Sequence, residues 1–345
     1  MDLLTLTLNE ERRVTLTAVL QGTGGEYHKL TKRRPAVLVL PGGGYDYCSE
    51  RESEPVALAF AKAGYQAFVL RYSTGAFKDW PNPMEDYEQA MELIRGKADE
   101  WNLWPDKLTV IGFSAGGHLA ACGATIGRNR PDAAVLIYPV TTQESADMCG
   151  AGMPAPVEHV SASTPPCFLA ATRTDMTVPV LDSLRFEQEL VRYGIEFESH
   201  IYGYGNHGFA TGDPYMNDTP VCARTADWIP DCIGWLEDLF GVPTFTGFED
   251  PVCPRTVNAD RADVLSLDCT VAHLLRQEGE AAELLTPVRS ALDRAVAEYS
   301  DHGRNVEPLF RLRTLREMLR RIGFPAEDLG DLDDALKKIP NPEKA

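Results

Sequence analysis

A β-branched apolar run, Leu108-Thr109-Val110-Ile111, enters the turn Gly112-Phe113-Ser114-Ala115-Gly116-Gly117 and leaves it through the apolar stretch His118-Leu119-Ala120-Ala121. Few arrangements accommodate that. A buried strand that passes directly into a helix needs glycine wherever a Cβ would strike neighbouring backbone, here at Gly112 and Gly116. The side chain lifted clear of the sheet is then Ser114. Its hydroxyl lies beside the N-terminus of a helix starting at about Ala115, where unpaired N–H groups and the helix dipole favour developing negative charge. The same residues also describe a glycine-rich turn with a capping serine, so the rest of the chain has to decide.

Residues 3–8 and 13–20 alternate apolar and polar with Thr and Val enriched, and Gly22-Thr23-Gly24-Gly25 breaks the pattern, which reads as an antiparallel start to a sheet. Residues 36–40, 66–72, 133–138 and 167–171 are short apolar runs of the kind buried on both faces. Residues 195–202 alternate as a further strand. Helical patterns cover residues 54–63, 84–101 and 178–193, and one over 221–240 contains Pro230, which should kink or split it. Strands alternating with helices predict an α/β fold with a mostly parallel central sheet flanked by helices, because parallel neighbours need crossover connections. Ligands in such sheets sit beyond the carboxyl ends of the strands.

At 345 residues and 44% hydrophobic content the chain can bury a large core, and the pattern predicts two parts. Residues 1–245 read as the α/β domain and residues 246–345 as a helical C-terminal appendage of unknown role. In the appendage Leu284, Leu285, Val288, Leu292 and Val296 recur on one helical face, as do Leu309, Leu312, Leu315, Leu319 and Ile322. Arg311, Arg313, Arg316, Arg320 and Arg321 read as the charged outer face of one helix. A net charge of −18 argues against nucleic acid as a partner. No apolar run approaches the roughly 18 residues of a membrane span, and the alternating N-terminus reads as a strand rather than a signal peptide. Eight cysteines without a Cys-x-x-Cys pair are expected to be reduced thiols of a cytoplasmic protein, with no metal and no cofactor. A homo-oligomer is compatible with the sequence.

Candidate reactive groups fall just after the apolar runs. Pro41-Gly42-Gly43-Gly44-Tyr45 follows the run 36–40, and its glycines allow a backbone path whose N–H groups point at an oxyanion. Gly43 or Gly44 would pair with Ala115 as donors. Serine needs a histidine to take its proton and an acid to hold that histidine's tautomer. His118, one turn along the helix from Ser114, is poorly placed to reach back. His207, in Tyr204-Gly205-Asn206-His207-Gly208-Phe209, is presented by flanking glycines after the last strand, and Asp175 follows the run 167–171. Ser114, Asp175, His207 is the chain order expected when such a serine sits on a nucleophile elbow.

Together the glycine loop, the Gly-Phe-Ser-Ala-Gly-Gly elbow, Asp175-Met-Thr-Val-Pro and Asn206-His207-Gly208-Phe209 resemble the α/β-hydrolase superfamily over residues 30–240. More narrowly they resemble its bacterial acetylesterase and acetyl-xylan-esterase-like branch. The resemblance implies Ser114 as nucleophile, His207 as acid and base, Asp175 as the orienting acid, and Gly43, Gly44 and Ala115 as oxyanion contacts. It also implies short acyl groups, acetyl foremost, on an alcohol that includes sugars and oligosaccharides. Pro41 stands where lipases and esterases of the hormone-sensitive-lipase type carry His, a departure from that subgroup. Tyr45, Tyr47, Trp80 and Tyr215 are the aromatics expected to stack on a sugar ring, and segments 141–166 and 208–220 the expected pocket walls. Glu50, Arg51, Glu52 and Glu54 read as a solvated turn and helix start. Two other readings stay open: a peptidase or amidase of the prolyl-oligopeptidase-like group, which residues 175–179 also resemble, and a non-catalytic binding protein of the same fold.

Overall fold

The antiparallel hairpin at the N-terminus follows from the Thr and apolar alternation: β1 (Asp2–Asn9) pairs with β2 (Val14–Leu20), and Arg13 in the turn takes a φ of 59°. The computed structural model describes residues 1–24, 32–217, 220–244, 247–253, 255–300 and 306–342. Gly25, the last of the glycines after the hairpin, lies outside them, as does the expected domain boundary at 245/246. The chain continues through β3 (Arg34–Leu40), α1 (Glu54–Lys62), β4 (Gln66–Arg71), α2 (Asn82–Gly96), β5 (Leu103–Phe113), α3 (Ala115–Thr125), β6 (Ala133–Ile137) and α4 (Gln143–Cys149). Then come β7 (Cys167–Thr172), α5 (Leu181–Tyr193), β8 (Phe197–Tyr202) and α6 (Trp228–Phe240).

These eight strands form one sheet in the order β1-β2-β4-β3-β5-β6-β7-β8, antiparallel at the β1–β2 and β2–β4 pairings and parallel at the others. Strands β3, β6 and β7 are buried at every residue, which is why they read as unbroken apolar runs, while the outermost β1 and β8 are largely not. On one face Val56 and Phe60 of α1 and Trp228 and Leu236 of α6 join Val39 and Ile111 in a single core cluster. Helix α3 is buried along its whole length, as its all-round apolar sequence requires. It packs on β5 and β6 and against α2, where a Cβ at Gly123 would come within 2.5 Å of the Tyr87 ring.

Several element bounds differ from the sequence pattern for local reasons. Helix α2 stops at Gly96 rather than at residue 101, although Trp101 is buried. Segment 141–166 is not wholly irregular: α4 lies in it, capped by the Thr142 hydroxyl on Ser145 N–H, with a 3-10 turn at Pro156–His159. The pattern over 221–240 splits into a 3-10 turn, Ala223–Asp227, and α6. Pro230 then falls in the first turn of α6, where no N–H is needed.

The chain forms two compact units, one of residues 1–190 with 196–255, the other of residues 191–195 with 256–345. The second is helical: α7 (Val271–Leu275), α8 (Glu280–Leu284), α9 (Thr286–Ser300), α10 (Glu307–Arg311), α11 (Leu315–Arg321) and α12 (Ala326–Leu336). Its own core includes Leu265, Leu274, Leu285, Leu292, Leu315 and Leu319. One expected apolar face fails here, since Leu309 is 66% and Leu312 76% exposed. The helix expected there breaks at Thr314, which caps α11, so residues on either side no longer share a face. Arg311 accordingly lies on α10 and Arg316, Arg320 and Arg321 on α11, not on one helix.

Candidate active site

The turn between β5 and α3 holds Ser114 at φ 51° and ψ −116°, a conformation an L-residue adopts only under strain. Packing on both sides enforces it. A Cβ at Gly112 would overlap the Gly116 carbonyl oxygen, one at Gly116 would overlap that of Leu40, and Ser114 N–H donates to Ile137 O of β6 at 3.1 Å.

Beyond β8 the His207 loop is fixed by its backbone. The Thr172 and Thr174 hydroxyls each donate to Gly205 O at 3.0 Å, and Gly205 and Gly208 take φ values of 149° and 81°. His207 Nδ1 lies 2.6 Å from Asp175 Oδ2, and His207 Nε2 lies 2.8 Å from Ser114 Oγ. The Asp175 carboxylate, 1% exposed, also accepts from Thr177 and Val178 N–H at 2.8 and 2.9 Å, so the loop after β7 locks its orientation. Because a carboxylate only accepts, Nδ1 carries the imidazole proton and Nε2 presents a lone pair to the Ser114 hydroxyl. Asp175 thus divides its two oxygens, Oδ1 accepting from the two backbone N–H groups and Oδ2 facing His207.

The glycine loop after β3 turns back through Gly43 at φ 125° and Gly44 at φ 62°. Among the described residues the N–H groups of Gly43, Gly44 and Ala115 donate to nothing, whereas Gly42 N–H is taken by Glu52 Oε2 at 2.8 Å. A cavity of about 370 Å³ opens in front of Ser114 and His207, bordered by Gly43, Gly44, Tyr47 and the apolar side chains of Val140, Cys149 and Val178. Of the expected walls, segment 141–166 contributes Ser145, Met148 and Cys149, and the described residues of segment 208–220 contribute Gly208.

Three of the expected sugar contacts do not border the cavity. Tyr45 is fully buried, because its own φ of 63° turns the ring inward against Tyr72 and His118. Trp80 packs edge-on against His118, and Tyr215 is 79% exposed; neither borders the cavity. Tyr47, 62% exposed, does. The solvated-turn reading holds for Glu50 and Arg51, which are exposed, and Glu54 opens α1, but it fails at Glu52. Glu52 is 3% exposed and borders the cavity, and Arg51 donates to Gly208 O at 3.1 Å and Met216 O at 2.8 Å.

His118 does not reach Ser114. Its Nε2 donates to Pro154 O at 2.7 Å, so Nδ1 accepts from the Tyr45 hydroxyl at 2.8 Å. Burial holds its pKa down at about 4, and the ring is neutral at pH 7. The eight cysteines are all free thiols. Among the described residues no group of three His, Cys, Asp or Glu is placed to hold a metal ion, and no helix is long and apolar enough to cross a membrane.

A serine on a strained strand-to-helix turn, at the carboxyl edge of a sheet in this strand order, defines the α/β-hydrolase fold. Comparison with known proteins agrees. The BD-FAE family model matches residues 27–148. Over 69% of its length the chain superposes on 98% of MGS-M1, an α/β hydrolase from a Medee basin deep-sea metagenome library, with 36% identity and a TM-score of 0.64. An acetyl ester-xyloside bifunctional hydrolase from Caldicellulosiruptor lactoaceticus gives 30% identity and a TM-score of 0.59 over 69% of this chain and 96% of that one. An acetylxylan esterase from Xylanibacter ruminicola is 27% identical over 229 residues, 60% of this chain and 48% of its own. The chain spans less than half the length of the curated relatives it matches. It belongs to the α/β-hydrolase superfamily, on its acetylesterase-like branch.

Proposed function

We infer that the protein is a serine esterase that hydrolyses short-chain, chiefly acetyl, esters through an acyl-serine intermediate. One observation carries this: Ser114 Oγ, His207 and Asp175 form a continuous hydrogen-bonded chain, 2.8 and 2.6 Å, beside free backbone donors. In the first half-reaction Ser114 Oγ attacks the ester carbonyl carbon as His207 Nε2 takes the hydroxyl proton. Gly43 or Gly44 N–H and Ala115 N–H stabilise the oxyanion that forms. As the tetrahedral species collapses, the C–O bond to the alcohol breaks and His207 returns the proton to the leaving oxygen. Water, deprotonated by the same nitrogen, then attacks the acyl-serine, and the acid departs with Ser114 restored. Asp175 keeps the proton on Nδ1 throughout and stabilises the transient imidazolium.

The cavity is small and part apolar, which suits an acetyl or similarly short acyl group. The sugar-ester names of two relatives support a sugar or xylo-oligosaccharide alcohol, with Tyr47 the aromatic that meets it at the mouth. Eight free thiols support a reducing, cytoplasmic setting. The test is hydrolysis of a p-nitrophenyl acetate, butyrate and octanoate series, alongside acetate release from acetylated xylo-oligosaccharides, by wild type and Ser114→Ala. Turnover falling steeply with chain length, and absent in Ser114→Ala, is expected; turnover unchanged in that variant contradicts the reading.

A further inference from the structure

Glu52 takes no part in the proton and acyl transfers, yet its carboxylate is buried at the edge of the cavity that contains Ser114. Oε2 accepts from Gly42 N–H at 2.8 Å, and Oε1 accepts from the Tyr138 hydroxyl at 2.7 Å. The Tyr138 oxygen in turn accepts from Ala210 N–H at 3.0 Å, and the Tyr138 ring meets His207 and Phe209 edge-on at centroid distances of 4.8 and 4.6 Å. One carboxylate therefore ties the loop after β3, which carries the oxyanion donors, to the loop after β8, which carries the imidazole. Both ends are taut. At Gly42 even a Cβ would meet Glu52 Oε2 at 2.8 Å, Phe113 O at 2.8 Å and Ser114 Cβ at 2.9 Å, so this backbone lies directly against the serine turn. At the other end Tyr138 is held at a φ of 38°.

Stability is a poor reason for such a charge. A buried carboxylate loses its hydration, and well-packed apolar groups in its place are often no less stabilising. What an apolar side chain cannot do is accept from two donors on two different loops and fix the distance between them. We propose that Glu52 is a positioning residue: through Gly42 N–H and the Tyr138 hydroxyl it holds the oxyanion donors and His207 in register with Ser114. This rests on the esterase reading above. Both sets of groups act in the same transition state, so a displacement of either by a fraction of an ångström raises the barrier while leaving ground-state binding largely intact.

The experiment compares full-length wild type, Glu52→Gln, Tyr138→Phe and the double variant on p-nitrophenyl acetate, with the exposed neighbour Glu50→Gln as a control and Ser114→Ala as a blank. Glutamine still accepts from Gly42 but offers an N–H₂ where the Tyr138 hydroxyl needs an acceptor; phenylalanine keeps the ring and removes the hydroxyl. Each single change is expected to lower kcat about 10- to 100-fold with KM moved less than about threefold, as misplacement of reacting groups does. The double variant should fall no more than about threefold below the worse single one, because both changes cut the same tether. Glu50→Gln should match wild type. Single variants within about twofold of wild type in kcat, or losses that multiply in the double variant, overturn the proposal. If Glu52→Gln does not fold, the kcat and KM of Tyr138→Phe decide it alone. Turnover surviving in Ser114→Ala would instead sink the esterase reading, an outcome separate from any result at Glu52.

Discussion

Ser114, Asp175 and His207 come from the loops that follow three different strands, and each is held by local backbone geometry or hydrogen bonds. Asp175→Asn is therefore informative. The amide oxygen can still accept from Thr177 and Val178, which leaves N–H₂ facing His207 and forces the imidazole proton onto Nε2, where no lone pair remains for the serine proton. The expected loss is about 10³- to 10⁴-fold in kcat, measured on p-nitrophenyl acetate with an unchanged melting temperature. A second residue-scale expectation concerns His118, whose folded pKa is lowered by burial from the ordinary 6.5 to about 4. Between those values the unfolded chain binds a proton that the native one does not. Stability associated with this group is thus whole above about pH 6.5 and is lost as pH falls towards 4, by about 3 kcal/mol in all. Urea denaturation at a series of pH values should show that acid slope in wild type and a shallower one in His118→Gln.

At the scale of elements, one side chain of α5 gathers the backbone at the start of α4. Asp182, 2% exposed near the start of α5, accepts from Thr141 N–H, Thr142 N–H and the Ser145 hydroxyl at 2.7, 2.9 and 2.9 Å. Asp182→Ala strands those donors in the interior and should cost about 2–4 kcal/mol, read as a lowered denaturation midpoint. Since α4 carries Met148 and Cys149 at the cavity wall, the same variant should raise butyrate turnover relative to acetate. Asp182 also shows where the sequence is silent. The elbow, the glycine loop and the His207 loop are legible because each is a local pattern, glycines and a reactive residue directly after an apolar run. Glu52 and Tyr138 lie 86 residues apart and Thr141 and Asp182 41 apart, and no local pattern marks a contact between them. Charge misled in one case: Glu52 sits among Glu50, Arg51 and Glu54, which made it look solvated. Adjacency misled in the other, since Tyr45 follows the glycine loop but is turned into the core by it.

The molecule as a whole carries a net charge of −18, and Glu52 and Arg51 both border its cavity, so the net field predicts weaker reaction of anionic esters than of neutral ones. A neutral acetyl ester should react at a rate that changes less than about twofold between low and physiological salt, while a succinyl half-ester, bearing a carboxylate, should react slowly and gain as salt screens the repulsion. The kcat/KM of the two esters across a salt series checks this. Each of the two compact units has its own apolar core, and Ser114, Asp175, His207 and the described residues bordering the cavity lie in the first. The measurement that bears most directly on the whole account is mass spectrometry of the protein quenched in acid during p-nitrophenyl acetate turnover and then digested. One acetyl group on the peptide containing Ser114, accumulating in wild type and missing in Ser114→Ala, is the predicted result; turnover with no acetyl on that peptide, or with the label on another residue, would contradict it.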